Sequence, residues 1–361
     1  MATVSLRRLW LRLHRWVALG LGWLLILAGI TGAMLIVTRP LDRVLHPELF
    51  VARSTAGAPA VPLEALRQRV TAEFGPKTQF VMRPPREPGE TLQINVRGTW
   101  SGTLYIDPAD GREQARRGET EGFLGTLFKL HSTLLLKDTG KIVLAWAALA
   151  YLLMLATGLV LWWPRRWPPS LRIELKRGLL RGMFDLHRTG GALLGLVIAV
   201  SVASGAYMAW RPLGEFVSAL AGRQAVKPPA LPKVAADADA PRPTLDALAA
   251  TARARFDNAP IGYIHLSALP DRPVRVRLLL PDDPHPNGIS SVWLDPRDGH
   301  VLGVKRWSEL DPGAAAVAYV YPLHTGELGG PLHETLNTLA GLMLAGLGVT
   351  GLWLWWKRRR G

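Results

Sequence analysis

Four stretches of the chain carry no charged residue: 17–38, 142–163, 189–210 and 335–356. Each is long enough to cross a hydrocarbon core of about 30 Å, which takes about 20 residues of helix. Tryptophans gather toward their ends (Trp16, Trp162, Trp163, Trp210, Trp355 and Trp356), with Trp23 further in, as aromatic side chains do at a membrane–water boundary. The pattern therefore predicts four membrane-spanning helices. In the two long connections, after the first and third runs, the periodicity changes. Residues 63–74 place Leu63, Leu66, Val70 and Phe74 on one helical face behind Pro62, and short alternating runs at 78–83 and 91–97 read as strands. After a proline- and alanine-rich linker at about 222–243, the later connection repeats the order, with a helix at 244–256 and strands at 261–267 and 274–280. The fold class is thus membrane α-helical with α+β domains outside the bilayer.

The repetition extends to motifs. Leu11-Arg12-Leu13-His14-Arg15-Trp16 precedes the first run, and Asp185-Leu186-His187-Arg188-Thr189-Gly190 leads into the third. Eighteen residues after each histidine stands a small-residue step, Gly32-Ala33 and Gly205-Ala206, and each run closes on arginine–proline–leucine, at 39–41 and 211–213. Both connections contain Asp-Pro-x-Asp-Gly, at 107–111 and 295–299, in which the proline opens a turn and the glycine supplies a left-handed position. Each half ends alike. Leu130-His131-Ser132-Thr133 leads to Thr157-Gly158-Leu159 and a Trp-Trp pair, and Leu323-His324-Thr325-Gly326 leads to Thr350-Gly351-Leu352 and another, with 26 positions from histidine to threonine in both. The chain reads as two parallel copies of helix, outer domain, helix, related by an axis along the membrane normal.

Charge fixes the expected orientation. The net charge of +15 suggests nucleic acid until it is located. Nearly all of it lies in three short flanks: Arg7, Arg8, Arg12 and Arg15; Arg165, Arg166, Arg172, Lys176, Arg177, Arg181 and Arg188; and Lys357 to Arg360. These flanks alternate with the long connections, as the positive-inside rule requires for both termini inside. No nucleic-acid partner is expected. The expected layout is a cytoplasmic N-terminus (1–16), spans at 17–38 and 142–163 around a periplasmic domain (39–141), and a basic cytoplasmic loop (164–188). Spans at 189–210 and 335–356 around a second periplasmic domain (211–334) follow, with a tail at 357–361. The first run is longer than a signal-peptide core and lacks a small-x-small cleavage site, so it is expected to stay as an anchor.

Parallel copies place equivalent residues at one depth. His14 and His187 are then expected to face each other near the cytoplasmic side, and His131 and His324 near the outer side. A histidine at a helix mouth is ordinarily an interfacial residue; four in duplicated positions point instead to ligands. The chain has no cysteine, which removes thiolate metal sites and iron–sulfur clusters. Two imidazoles across a low-dielectric gap suit the axial positions of a b-type haem, whereas zinc takes four ligands. His333, at the start of the fourth helix, is an alternative outer ligand without a counterpart in the first copy. Gly20, Gly22, Gly190, Gly191 and Gly195 would allow close approach of a helix or a flat macrocycle. Arg12, Arg15 and Arg188 set topology, with haem propionates as a second role. The Thr-Gly steps are expected to be packing or kink positions, and His46, His265, His285 and His300 to be ordinary loop and strand residues. The outer domains show no hydrolytic constellation.

The Leu-His-Arg-Trp entry, the Asp-Leu-His-Arg third helix, the Leu-His-Thr-Gly step and the Thr-Gly-Leu-x-Leu-Trp-Trp ending resemble the PepSY-associated transmembrane proteins over essentially the whole chain. That resemblance implies a bacterial inner-membrane protein linked to iron uptake, with periplasmic PepSY domains and, in the ferrioxamine-reductase-type branch, two b haems held by histidines. It implies reduction of the ferric iron of a siderophore or other ferric complex, with release of ferrous iron. His14, His131, His187 and His324 fall on the motif histidines; the departure is Gly330-Pro331-Leu332-His333-Glu334, where relatives more often lack the histidine. Electrons would come from a quinol, a flavin or a protein. Two other functions compete: a membrane-anchored PepSY regulator of proteolysis, and a non-enzymatic accessory to iron or siderophore uptake.

Overall fold

A computed structural model describes residues 6–54, 59–164, 168, 171–225, 228–232, 241–267 and 272–360. Arg165 and Arg166 of the basic loop, and parts of the proline- and alanine-rich linker, lie outside the described residues. The chain divides into two compact units. The first comprises residues 1–38, 127–213 and 323–361, and the second 39–126 and 214–322.

The elements run in this order: α1 (Leu6–Leu45), α2 (Pro47–Phe50), α3 (Leu63–Phe74), β1 (Gln79–Arg83), β2 (Leu92–Arg97), β3 (Ser101–Ile106), β4 (Glu113–Gly118), α4 (Gly122–Thr133) and α5 (Lys137–Trp162). The second half follows with α6 (Leu179–Ala209), α7 (Pro212–Leu220), α8 (Leu245–Ala254), β5 (Ile261–Leu266), β6 (Val274–Leu278), β7 (Ser290–Leu294), β8 (Val301–Lys305), α9 (Pro312–Thr325) and α10 (Gly330–Arg360).

Four helices, α1, α5, α6 and α10, are long and apolar enough to cross a membrane. All four begin before the uncharged runs that predicted them. α1 begins at Leu6, so His14 sits within the helix, because the arginines of the flank are good helix formers and extend toward water. Leu24 and Leu25, Ala147 and Tyr151, Ile198 and Ala199, and Ala340 and Leu344 form one apolar core drawn from all four helices. At one crossing of α1 and α10 the backbones nearly touch. A Cβ on Gly341 would lie 2.7 Å from the Gly29 carbonyl oxygen, so only glycine fits, in the manner of small-residue helix contacts in membranes.

The sheet unit departs from the expectation of separate outer domains. All eight strands form one antiparallel sheet in the order β4-β3-β2-β1-β5-β6-β7-β8. β1 and β5, one from each connection, pair through Phe80–Leu266, Val81–His265 and Met82–Ile264. One core contains residues of both connections: Leu66, Val70, Met82 and Ile94 with Leu245, Leu248, Ile264 and Val276. Alternation along strands produces this, since every second residue points to the helix-covered face. α3 and α8 lie on that face and complete each other's ends. The Asp246 carboxylate accepts from the Leu63 and Glu64 amides at 2.9 and 3.0 Å, and the Glu64 carboxylate accepts from the Leu245 amide at 3.0 Å. Free N–H groups at a helix start need such acceptors; here they come from the other copy. Both Asp-Pro-x-Asp-Gly motifs form the expected turns, joining β3 to β4 and β7 to β8, with Gly111 and Gly299 at φ of +70° and +79°.

Two predictions follow from this packing. Asp246→Ala removes the acceptor for two α3 amides and is expected to cost about 1 kcal/mol of stability, read as a lower thermal midpoint of the detergent-purified protein; an unchanged midpoint would contradict the cross-capping. The second concerns acid. Burial and the charges of Arg275, Arg277 and Arg97 push His265 down to about 3, and burial with Arg277 and Arg86 does the same for His285. The folded chain keeps both rings neutral, while the unfolded chain takes up protons as pH falls through the ordinary histidine value of 6.5. Stability should therefore fall progressively from about pH 6.5 toward 3, and His265→Gln should flatten the thermal-midpoint profile across that window.

Candidate functional site

The four duplicated histidines lie in the helical unit: His14 on α1, His131 in the last turn of α4, His187 on α6 and His324 in the last turn of α9. They meet in pairs, each drawing one ring from each half of the chain. The His14 and His187 ring centroids are 6.4 Å apart with planes at 86°. The His131 and His324 centroids are 6.1 Å apart with planes at 29°. From His14 to Thr31, which contacts His131, the α1 axis rises roughly 25 Å at about 1.5 Å per residue, so the pairs occupy two levels. All four rings are half-buried.

Each ring is held by the same device. His14 Nδ1 lies 3.0 Å from Thr157 Oγ1 and His187 Nδ1 2.9 Å from Thr350 Oγ1. His131 Nδ1 lies 3.1 Å from Thr31 Oγ1 and His324 Nδ1 3.2 Å from Ser204 Oγ. Every one of these hydroxyls donates to a carbonyl of its own helix: Thr157 to Met154, Thr350 to Gly346, Thr31 to Leu27 and Ser204 to Ser201, at 2.7 to 3.0 Å. A hydroxyl has one proton. With it committed to a carbonyl, the oxygen accepts from the imidazole, so Nδ1 carries the hydrogen and the lone pair is on Nε2. Nδ1 of His14 and His324 also approaches a carbonyl directly, Met154 at 3.2 Å and Ser201 at 2.9 Å, which admits the same tautomer alone. Metal-ligating histidines have this arrangement, with the second nitrogen fixed by an outer partner.

A glycine follows each hydroxyl residue and lies against the ring. A Cβ added at Gly32 or Gly205 would come 2.9 or 2.8 Å from Cε1 of His131 or His324. At Gly158 and Gly351 the corresponding distances to His14 and His187 are 3.5 and 3.3 Å. The Thr-Gly steps, which read in sequence as packing positions, are thus the hydroxyl clamps and ring seats, and Ser204-Gly205 is the fourth of the set. The glycines singled out in sequence contribute differently. A Cβ at Gly20 or Gly22 would meet nothing within 4 Å, and Gly195 packs on Leu155.

The pairs have the spacing of two axial ligands. A metal–nitrogen bond of about 2.0 Å on each side, with roughly 1.1 Å from nitrogen to ring centre, separates the centroids of two opposed imidazoles by about 6 Å. Among the described residues no three of histidine, cysteine, aspartate or glutamate converge on a common point that would hold a metal ion. The donor set is therefore two neutral imidazoles per level, which fits the axial positions of a haem. His333 is half-buried at the start of α10 beside Gly329, and His324 is the histidine whose ring meets His131. Near the inner pair, buried Asp185 holds Arg181 at 2.9 Å and Arg188 at 3.6 Å.

Gly32→Ala and Gly205→Ala are expected to displace the outer rings and lower stability by about 1–3 kcal/mol through overpacking, whereas Gly158→Ala meets its ring at ordinary contact distance and should be tolerated. Thermal unfolding of the three purified variants checks this; equal effects would show that the glycines do not seat the rings.

A family model described as "PepSY-associated TM region" matches residues 11–358. No curated protein matches the chain significantly.

Proposed function

The chain belongs to the PepSY-associated transmembrane family, and we propose that it is a di-haem b-type reductase that carries electrons across the bacterial inner membrane to ferric iron in a siderophore. The observation that carries this reading is the fourfold hydroxyl–glycine setting of His14, His187, His131 and His324, paired between the two halves at about axial-ligand spacing. When bound, a b haem supplies reversible one-electron exchange at its iron. The chain's own groups do the rest. Thr157 and Thr350 hold the inner imidazoles through Nδ1, which leaves the Nε2 lone pair for a ligand bond, and Thr31 and Ser204 do so for the outer pair. The apolar core of the four helices excludes water between the levels and keeps the local dielectric low.

In the proposed arrangement the halves are parallel repeats about an axis along the membrane normal, with Arg7, Arg8, Arg12, Arg15, Lys176, Arg177 and the residues from Lys357 onward on the cytoplasmic side. Cation–π contacts support placing the α10 end at that boundary: Arg358 lies 5.2 Å from the Phe184 ring and Arg359 5.0 Å from Trp355. The sheet unit is then periplasmic. Each ferric ion takes one electron and leaves its chelator as ferrous iron. A donor on the cytoplasmic side or in the membrane replaces that electron.

The test uses detergent-purified protein reduced with dithionite under argon. A b-type reduced-minus-oxidised spectrum is expected, and adding a ferric siderophore should reoxidise it with one ferrous ion trapped by ferrozine per electron lost. In the oxidised protein, electron paramagnetic resonance should show two low-spin species, because one pair of ring planes is near perpendicular and the other near parallel. A colourless protein, or a reduced one that no ferric chelate reoxidises, would overturn the reading and favour a membrane-anchored regulator.

A further inference from the structure

The helix-covered face of the sheet contains the apolar core; its other face is cationic and aromatic. In register across that face, one row runs Asn95, Val81, His265, Arg275, Trp293. The adjacent row includes Gln93 and Arg83 on β2 and β1, and Tyr263, Arg277 and Ser291 on β5, β6 and β7. Strand alternation puts Arg275 and Arg277 on the same side of β6, about 7 Å apart at about 3.4 Å per residue. Arg83 stands two strands away from Arg277, roughly 10 Å at about 4.8 Å per strand.

The guanidinium groups of Arg275 and Arg277 are positioned but not neutralised. Arg275 lies 5.2 Å over the Trp293 ring and donates through Nε to Ser291 Oγ at 2.9 Å. Arg277 lies 5.5 Å over the Tyr263 ring and donates through Nε to the Gly288 carbonyl at 2.7 Å. Among the described residues neither forms an ion pair with a carboxylate. The nearest acidic influence on Arg277 includes Asp283, whose oxygens are occupied by the amides of His285, Ile289 and Ser290. Burial pushes both arginines down to about 10, with the charge of Arg277 adding to it for Arg275 and that of Arg86 for Arg277, which leaves them cationic at neutral pH. Arg83 shares Glu90 with Arg43. Beside this group, His265 Nε2 and Arg83 Nε are buried polar atoms without a hydrogen-bond partner. Half-buried charge without a counterion and buried polar groups without partners are both costly, and an anion supplies what each lacks.

We propose that this face of the sheet, centred on Arg275, Arg277 and His265, is the binding site for an anionic ferric chelate whose donors are catecholate or carboxylate oxygens. The proposal rests on the reductase reading for the ferric ion, and on the sheet alone for the charge. The footprint favours a chelate over a small anion. The cations spread over a distance on the order of 10 Å, wider than one carboxylate or phosphate. Tyr263, half-buried beside the Arg277 guanidinium, offers ring surface to an aromatic chelator, while the buried Trp293 ring holds Arg275 in place.

Gallium(III) chelates separate binding from electron transfer, since gallium(III) is not reduced under these conditions. The probes are the trianionic gallium complex of a hexadentate tricatecholate and the neutral gallium complex of a trihydroxamate, added to full-length protein in detergent and followed by tryptophan fluorescence. The tricatecholate complex is expected to bind more tightly, with an affinity that falls as salt rises. The double variant Arg275→Gln, Arg277→Gln should weaken it at least about tenfold, while Arg275→Lys, Arg277→Lys retains part of it. Absorbance of the same samples reports haem separately. Charge-selective binding lost in the glutamine variant of a colourless protein would uphold the site and overturn the reductase. Full haem content, with tricatecholate binding indifferent to the glutamine substitutions or no tighter than trihydroxamate binding, would overturn the site alone. The thermal midpoint of each variant identifies loss of binding through misfolding; if the glutamine variant is destabilised, the salt dependence and charge preference of the parent protein decide.

Discussion

A single relay of hydrogen bonds, repeated four times, determines what the helical unit can hold. An imidazole Nδ1–H donates to a hydroxyl, and the hydroxyl donates to a carbonyl one helical turn back. The carbonyl can only accept, so the hydroxyl must donate to it, and the hydroxyl's one remaining role toward the ring is to accept. Thr31 and Thr157 are 3% and 1% exposed, so water does not compete for their protons. The relay fixes the tautomer and, with the glycine behind each ring, the orientation. Without it His14 and His131 would be half-buried histidines of undefined tautomer, as surface-facing histidines near helix ends ordinarily are.

The relay also shows how the two copies divide the work. Each ring is clamped within its own half: His14 by α5, His131 by α1, His187 by α10 and His324 by α6. Each pair is completed only between halves. The sheet unit obeys a similar rule. Its seam is the pairing of β1 with β5, and α3 and α8 exchange the carboxylates that cap their first amides. Neither connection could close its core or satisfy its helix starts alone, so a duplicated sequence yields one continuous sheet.

Much of this was legible in the amino-acid sequence. Uncharged runs located the four long helices because a hydrocarbon core excludes charge over a fixed length. The motif repeat identified which histidines are equivalent, and hence which would meet. Four features were not legible. The arginine-rich flank of α1 reads as a helix boundary, yet helix propensity carries the helix through it. β4 and β8 lack the alternation that reveals strands, since Glu113–Gly118 has no large apolar residue and Val301–Lys305 is short. The roles of Thr31, Thr157, Ser204 and Thr350 depend on a ring arriving from another helix, and local sequence contains no trace of that contact. His265 escaped for a related reason: its neighbours Arg275 and Arg277 come from β6, and only the register brings the three together.

The central claim is that four histidines build two sites, each a unit made of two rings. Counting haem per chain by pyridine extraction tests it most directly, in the parent protein and in His14→Ala, His187→Ala and the double variant. The account predicts two haems in the parent and one in each of the three variants, because removing either or both rings abolishes the same site. No haem in the parent, or a double variant that loses both haems while each single variant loses one, would contradict it.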